Sequence, residues 1–241
     1  MKKILSFALL AVLAAAGNSM AWDIKIPGTL VQSEFKDLTK EFGSAIAYRN
    51  LAPAEPLGIT GFDVAAQASF ISIDNEAAQW QKVTGNDAPS FIAYPTIRAR
   101  KGLPFGIDVG AMYSYIPDAD IQLFGAELSK AILEGGVAYP AIGIRGSYTR
   151  LAGVDDLTLQ TAAIDASISK GFIFLTPYAG AGMIWIDSEY KGSVATLTGE
   201  SMWQPRGFVG IKISPLPLVG LTAEVEYSAR PIYSVKLGVS F

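Results

Sequence analysis

The sequence predicts an all-β fold: an antiparallel transmembrane β-barrel of about ten strands, preceded by an N-terminal amphipathic helix. Two observations carry the barrel. In the final segment Tyr233, Val235, Leu237, Val239 and Phe241 occupy every second position, with Ser234, Lys236, Gly238 and Ser240 between them. That period of two belongs to a strand with one apolar and one polar face. Half of the chain is hydrophobic and its mean hydropathy is +0.32, yet beyond residue 21 no apolar run approaches the ~20 residues a spanning helix needs. Apolar residues are spread instead through short alternating segments divided by turn residues, the pattern of a membrane wall built from strands.

The amino end reads as an export signal. Met1-Lys2-Lys3 is basic, Ile4 to Ala16 is a short apolar stretch, and Ser19-Met20-Ala21 is a small-x-small cleavage site. Residues 1–21 are therefore expected to be removed, leaving Trp22 first. Without Lys2 and Lys3 the chain holds 17 basic against 22 acidic residues, a net charge of −5, which argues against a nucleic-acid partner. There is no Cys, so strand ladders rather than disulfides must hold the fold.

Residues 22–58 form a separate segment ahead of a barrel over 59–241. Phe35, Leu38, Phe42 and Ile46 are spaced by three, four and four among Glu34, Lys36, Asp37, Lys40 and Glu41. This predicts an amphipathic helix of about four turns, with Ser33 as its N-cap. Pro53 and Pro56 end it. Such a helix could plug the lumen, cap the barrel mouth or lie on the membrane; its mixed charge favours a plug or cap over the Lys/Arg-rich surface type.

Alternation and turn punctuation mark strands near 59–73, 91–100, 104–116, 119–131, 137–149, 157–169, 172–187, 203–214, 218–229 and 231–241. Pro95 makes the second the weakest, with eight and twelve strands as alternatives. Short turns fall at Arg100-Lys101-Gly102, Glu134-Gly135-Gly136, Ser169-Lys170-Gly171 and Pro215-Leu216-Pro217. Longer or more polar links, Pro117-Asp118 among them, alternate with these. Short periplasmic turns and longer external loops are the rule for such barrels. Counting ten crossings then puts both termini in the periplasm.

A charge facing lipid at mid-membrane costs several kcal/mol, about 2–4 for a basic residue. That cost turns Asp108, Arg145, Asp165, Arg206, Lys212, Glu224, Glu226 and Lys236 into the lumen. Arg98 and Arg100 follow if their strand forms. The near balance of acids and bases suits either an internal salt-bridge network or a polar constriction that selects solutes. Aromatic residues near strand ends, including Tyr94, Tyr113, Tyr148, Tyr178, Trp203 and Tyr227, read as interfacial girdles. Trp80 falls in the first long loop, where packing against the loop is the default.

The chain has no His and no Cys, which removes Ser-His and Cys-His catalysis and the usual zinc sites. The Asp155-Asp156 pair reads as a solvated turn, and Glu224 and Glu226 have lumen bases for partners. No enzyme activity, cofactor or metal is expected.

An alternating last strand closed by Phe241 resembles the C-terminal assembly signal of Gram-negative outer-membrane β-barrels, with Tyr233 at its start. The stretch from Leu133-Glu134-Gly135-Gly136 to Thr149, followed by Ser167-Ile168-Ser169-Lys170-Gly171-Phe172 and Thr176-Pro177-Tyr178-Ala179-Gly180, is similar to exported barrels of the porin-like and transporter-like class. That resemblance implies outer-membrane lipid around the barrel and the barrel-assembly machinery as a partner of the last strand. It supplies no substrate or catalytic residue. Two functions are compatible with it. The one expected is passive or gated passage of small polar or amphipathic solutes through a narrow, charge-lined lumen, with residues 33–47 as the gate. The other is a non-conducting barrel that binds or anchors through external loops 74–89 and 188–201.

Overall fold

The computed structural model describes residues 26–84, 88–116, 121–192, 194 and 196–241. Ten antiparallel strands close into a barrel. They are β1 (Phe62–Ser72), β2 (Phe91–Leu103), β3 (Ile107–Ile116), β4 (Ile121–Glu134), β5 (Ala141–Ala152), β6 (Leu157–Ser169), β7 (Leu175–Tyr190), β8 (Glu200–Leu216), β9 (Val219–Tyr227) and β10 (Pro231–Ser240). Each pairs with its neighbours in sequence, and β10 returns to β1 in register from Asp63 opposite Ser240 to Ile71 opposite Ile232. No strand edge is left open, as a bilayer requires. At the seam Phe62 and Phe241 exchange backbone hydrogen bonds of 2.8 and 3.0 Å, and their rings meet edge to face at 4.0 Å. The leader and the Pro117-Asp118 link lie outside the described residues.

Alternation sorts the wall. In β9, Thr222, Glu224 and Glu226 are buried inside, while Leu221, Val225 and Tyr227 are exposed outside. Pro95 does not break β2. It sits opposite Ala68 of β1, beyond the point where the ladder to β3 begins at Ile97. Pro205 in β8 is likewise paired to β7 but precedes the ladder to β9, which begins at Gly207. A residue without an N–H is accommodated where one neighbour is bonded and not two.

Several boundaries differ from those expected. Arg100-Lys101-Gly102 lies inside β2, because Phe62 pairs with Lys101 and the Gly102 N–H reaches the Gly61 carbonyl at 3.0 Å. The turn is Pro104–Gly106 instead. β5 begins at Ala141 rather than 137, and β7 at Leu175 rather than 172, so Phe172 to Phe174 form a turn.

Two helices complete the described fold: α1 (Gln32–Ile46) and α2 (Ala78–Thr84). Ser33 is not the cap of α1. The cap is Val31, whose N–H donates to the Glu34 carboxylate at 3.1 Å. Every residue from Glu41 to Ala52 is buried, so α1 enters the barrel and the chain continues through it.

Candidate functional site

The lumen has two layers. The upper layer lies toward the end that carries α2 and the 191–199 loop. Its inward residues include Ile71, Leu123, Leu151, Leu159, Ile184 and Ile186, which form one cluster with Phe35, Leu38, Phe42 and Ile46 of α1. The helix stripe therefore meets an apolar wall. Gly43 lets α1 approach β7, since a Cβ there would lie 2.3 Å from Ile186 Cγ2. Lys36 and Asp37 stay exposed on the opposite face.

Polar contacts fasten the start of α1 to the loops. Trp80 of α2 is buried and its Nε1 donates to Glu41 at 2.6 Å. Glu41 also accepts from Arg230 at 3.1 Å. Lys82 pairs with Glu34 at 2.6 Å; that ammonium and the Val31 N–H hold the Glu34 carboxyl below the usual carboxylate range. Gln32 exchanges hydrogen bonds with Thr198, at 3.2 and 3.0 Å. Both loops expected to be free binding surfaces are thus partly committed to holding α1.

The lower layer is charged. Asp165 accepts from Arg145 Nη2 and from Arg206 Nη2, both at 2.6 Å. Glu127 faces Arg98 at 3.2 Å, Arg100 at 2.8 Å and Arg145 at 3.4 Å. Arg100 also reaches Asp108 at 3.0 Å. Lys236 pairs with Asp63 at 3.2 Å, and Glu226 receives Arg49 of the threaded segment. Lys212 stands apart: it is half-buried, and its Nζ is 3.5 Å from Ser240 Oγ. Glu127, Asp63 and Arg49 were missed from sequence. The cost of a lipid-facing charge applies to Glu127 and Asp63 as it does to Asp165, whereas Arg49 belongs to no strand and has no alternation to place it.

These side chains also satisfy the backbone that crosses the lumen. Residues 48–57 belong to no helix or strand, so their polar groups must be met otherwise. Arg206 donates to the Tyr48 carbonyl at 2.9 Å, and Arg145 to that of Arg49 at 2.9 Å. The Leu51 N–H donates to Glu224 at 2.9 Å, Ala54 N–H to Ser169 at 3.0 Å, and Leu57 N–H to Asp108 at 3.1 Å. Tyr178 OH donates to Glu224 at 2.8 Å. The Tyr48 ring lies 5.1 and 5.7 Å from the guanidinium carbons of Arg98 and Arg145, within cation–π range. Tyr94 and Tyr178, expected in the girdles, are buried inward; Tyr94 OH donates to the Ala45 carbonyl at 2.7 Å.

The path of the segment corrects the expected topology. Ile26 and Leu30 join the apolar cluster with Trp80 and Leu197 at the loop end. Leu57 meets Asp108, and Ile59 meets Lys101, at the turn end, where Phe241 also lies. The described chain therefore begins and ends at opposite mouths, against the expectation that both termini share the periplasmic side. Counting strands alone omitted an eleventh crossing, made through the lumen.

Little space is left: a cavity of about 20 Å³ opens at the turn end beside Pro53, Pro56, Arg100 and Asp108, and one of about 10 Å³ lies at the loop end between α1, Trp80 and Leu157, each about the size of one water. Among the described residues no group of three or more His, Cys, Asp or Glu could hold a metal ion.

No family model matches the chain, and no curated protein matches it. The solved structures it is similar to are Gram-negative outer-membrane β-barrels. The N-terminal barrel domain of Pseudomonas aeruginosa OprF is 12% identical with a TM-score of 0.39, over 76% of this chain and 99% of that one. The KdgM porin is 11% identical with a TM-score of 0.37, over 75% and 99%. The translocator domain of the autotransporter NalP from Neisseria meningitidis is 11% identical with a TM-score of 0.41, over 87% and 96%. The ten-strand closure, rather than these likenesses, fixes the architecture.

Proposed function

We propose that this protein is an outer-membrane barrel sealed by its own N-terminal segment, acting as an anchored surface structure through its loop end and not as a standing passage. One observation carries this reading: residues 30–57 cross the lumen from mouth to mouth, with the backbone of Tyr48, Arg49, Leu51, Ala54 and Leu57 bonded to the wall. The charged ring then serves as a clamp on that segment. Its acids and bases face one another or the threaded backbone, so little of the ring is left to coordinate a passing solute. In the proposed orientation the short turns face the periplasm, and α2 and the 191–199 loop face outward together with the start of α1.

Gated passage is the second reading. It is favoured by the exposed outer face of α1 at Lys36 and Asp37, which leaves the polar ties of the helix at that mouth to Trp80, Lys82, Arg230 and Thr198. Passage would require withdrawal of residues 48–57 from the ring.

Single-channel recording in a planar bilayer separates the two. The intact mature chain is expected to be silent, while a variant lacking residues 22–56, verified as a folded barrel, should conduct steadily. Sustained or switching conductance from the intact chain would overturn the sealed-barrel reading in favour of passage.

A further inference from the structure

We infer that the short-turn end of the barrel is a lipid-inserting crown, whose turn tips enter the adjoining phospholipid leaflet. This rests on the outer-membrane reading above and adds a contact surface to it. Three of the four turns place a large apolar residue at positive φ: Phe105 at 67°, Ile173 at 46° and Leu218 at 72°. Gly, Asn or Asp adopts that backbone with less strain, and for β-branched Ile it is a true outlier. The remaining turn presents Val137. Phe105 is 83% exposed, and Val137 and Ile173 are fully so. Strained backbone that carries exposed apolar side chains marks a site where something else compensates.

The turn carbonyls point to what that is. Lys170 Nζ donates to the carbonyls of Gly136, Val137 and Tyr139 at 2.8, 2.7 and 3.2 Å. Lys130 donates to the Phe105 carbonyl. In water these carbonyls would be solvated without help. At the edge of hydrocarbon an unmet carbonyl is costly, and an ammonium on an apolar stem can meet it while its charge stays near the lipid phosphates. Among the described residues the opposite end has no large apolar residue at positive φ in a turn: its described tight links are Asp155-Asp156 and Ser228 to Arg230. Apolar tips with lysine-capped carbonyls fit a phospholipid leaflet, chains outside and phosphates beside the ammonium groups.

The cysteine-free chain permits a direct test. Val137→Cys and Ile173→Cys, with Val225→Cys in mid-wall and Asp155→Cys at the loop end, are labelled with bimane. Each is placed in nanodiscs of phosphatidylethanolamine and phosphatidylglycerol with brominated acyl chains. Heat-modifiable migration verifies folding, and the Val137 site, free of positive φ, stands in if the Ile173 variant does not fold. Both turn probes should be quenched by the brominated chains about as strongly as Val225→Cys, and several-fold less by aqueous iodide than Asp155→Cys. Free quenching of both by iodide, with Val225→Cys still lipid-quenched, would overturn the crown alone and leave a surface for water or a periplasmic protein. Loss of lipid quenching at Val225→Cys would overturn the membrane reading and the crown with it.

Discussion

Asp165 accepts hydrogen bonds from two guanidinium groups, those of Arg145 and Arg206, at a depth where all three side chains are almost completely buried. Removing one member of a buried ion network leaves the others uncompensated, at a typical cost of 3–5 kcal/mol, an order-of-magnitude figure. Asp165→Ala should therefore lower the unfolding free energy of the barrel by about that much, with a lower urea midpoint, and pairing it with Arg206→Ala should restore part of the loss. Tryptophan fluorescence during urea titration in micelles checks both. The inward direction of Asp165, Arg145, Glu224 and Glu226 was legible because a charge on a strand has only two faces to choose between, and one of them is lipid. Their pairings were not. Arg145 and Asp165 oppose one another across β5 and β6, but Glu127 draws on three arginines whose convergence depends on barrel curvature and on side-chain length.

At the scale of elements, α1 shows how far a pattern reaches. The stripe Phe35, Leu38, Phe42 and Ile46 announced a helix, and the described helix covers all four. Its placement was left open because a lumen, a mouth and a bilayer surface all accept the same stripe. What decides it is the wall: Leu159, Ile184 and Ile186 are apolar on their inward side, a feature that looks in sequence like part of a strand buried on both faces. Gly43→Val tests this seating. The added side chain meets Ile186, and overpacking of this kind costs about 1–3 kcal/mol. The variant should keep its barrel and show faster amide exchange over residues 41–52, with intermittent conductance in a bilayer. Unchanged exchange there would mean that α1 does not depend on this contact. The strands themselves were more legible than the helix seat, Pro95 included, because each strand carries its own period and needs no partner to declare it.

For the whole molecule the consequence is one of sidedness. In the proposed orientation, with the short turns in the periplasm, the described chain starts outside. Gly28 is exposed at the loop end and a Cβ there would touch nothing, so Gly28→Cys should fold normally. Intact cells treated with a membrane-impermeant maleimide should label Gly28→Cys and Asp155→Cys but not Glu134→Cys until the outer membrane is opened. Labelling of Gly28→Cys only after opening would place α1 the other way round or outside the lumen. The sequence by itself determined an antiparallel barrel wall of about ten strands, and it gave a reason for charges such as Glu224 and Glu226 to turn from lipid, since alternation and the cost of charge in lipid act within each short segment. Only the tertiary structure decided where residues 26–58 run, which mouth they start from, and which charges hold them. Those depend on contacts such as Arg49 with Glu226 and Gln32 with Thr198, between residues more than 160 positions apart, and no local period records a partner at that distance.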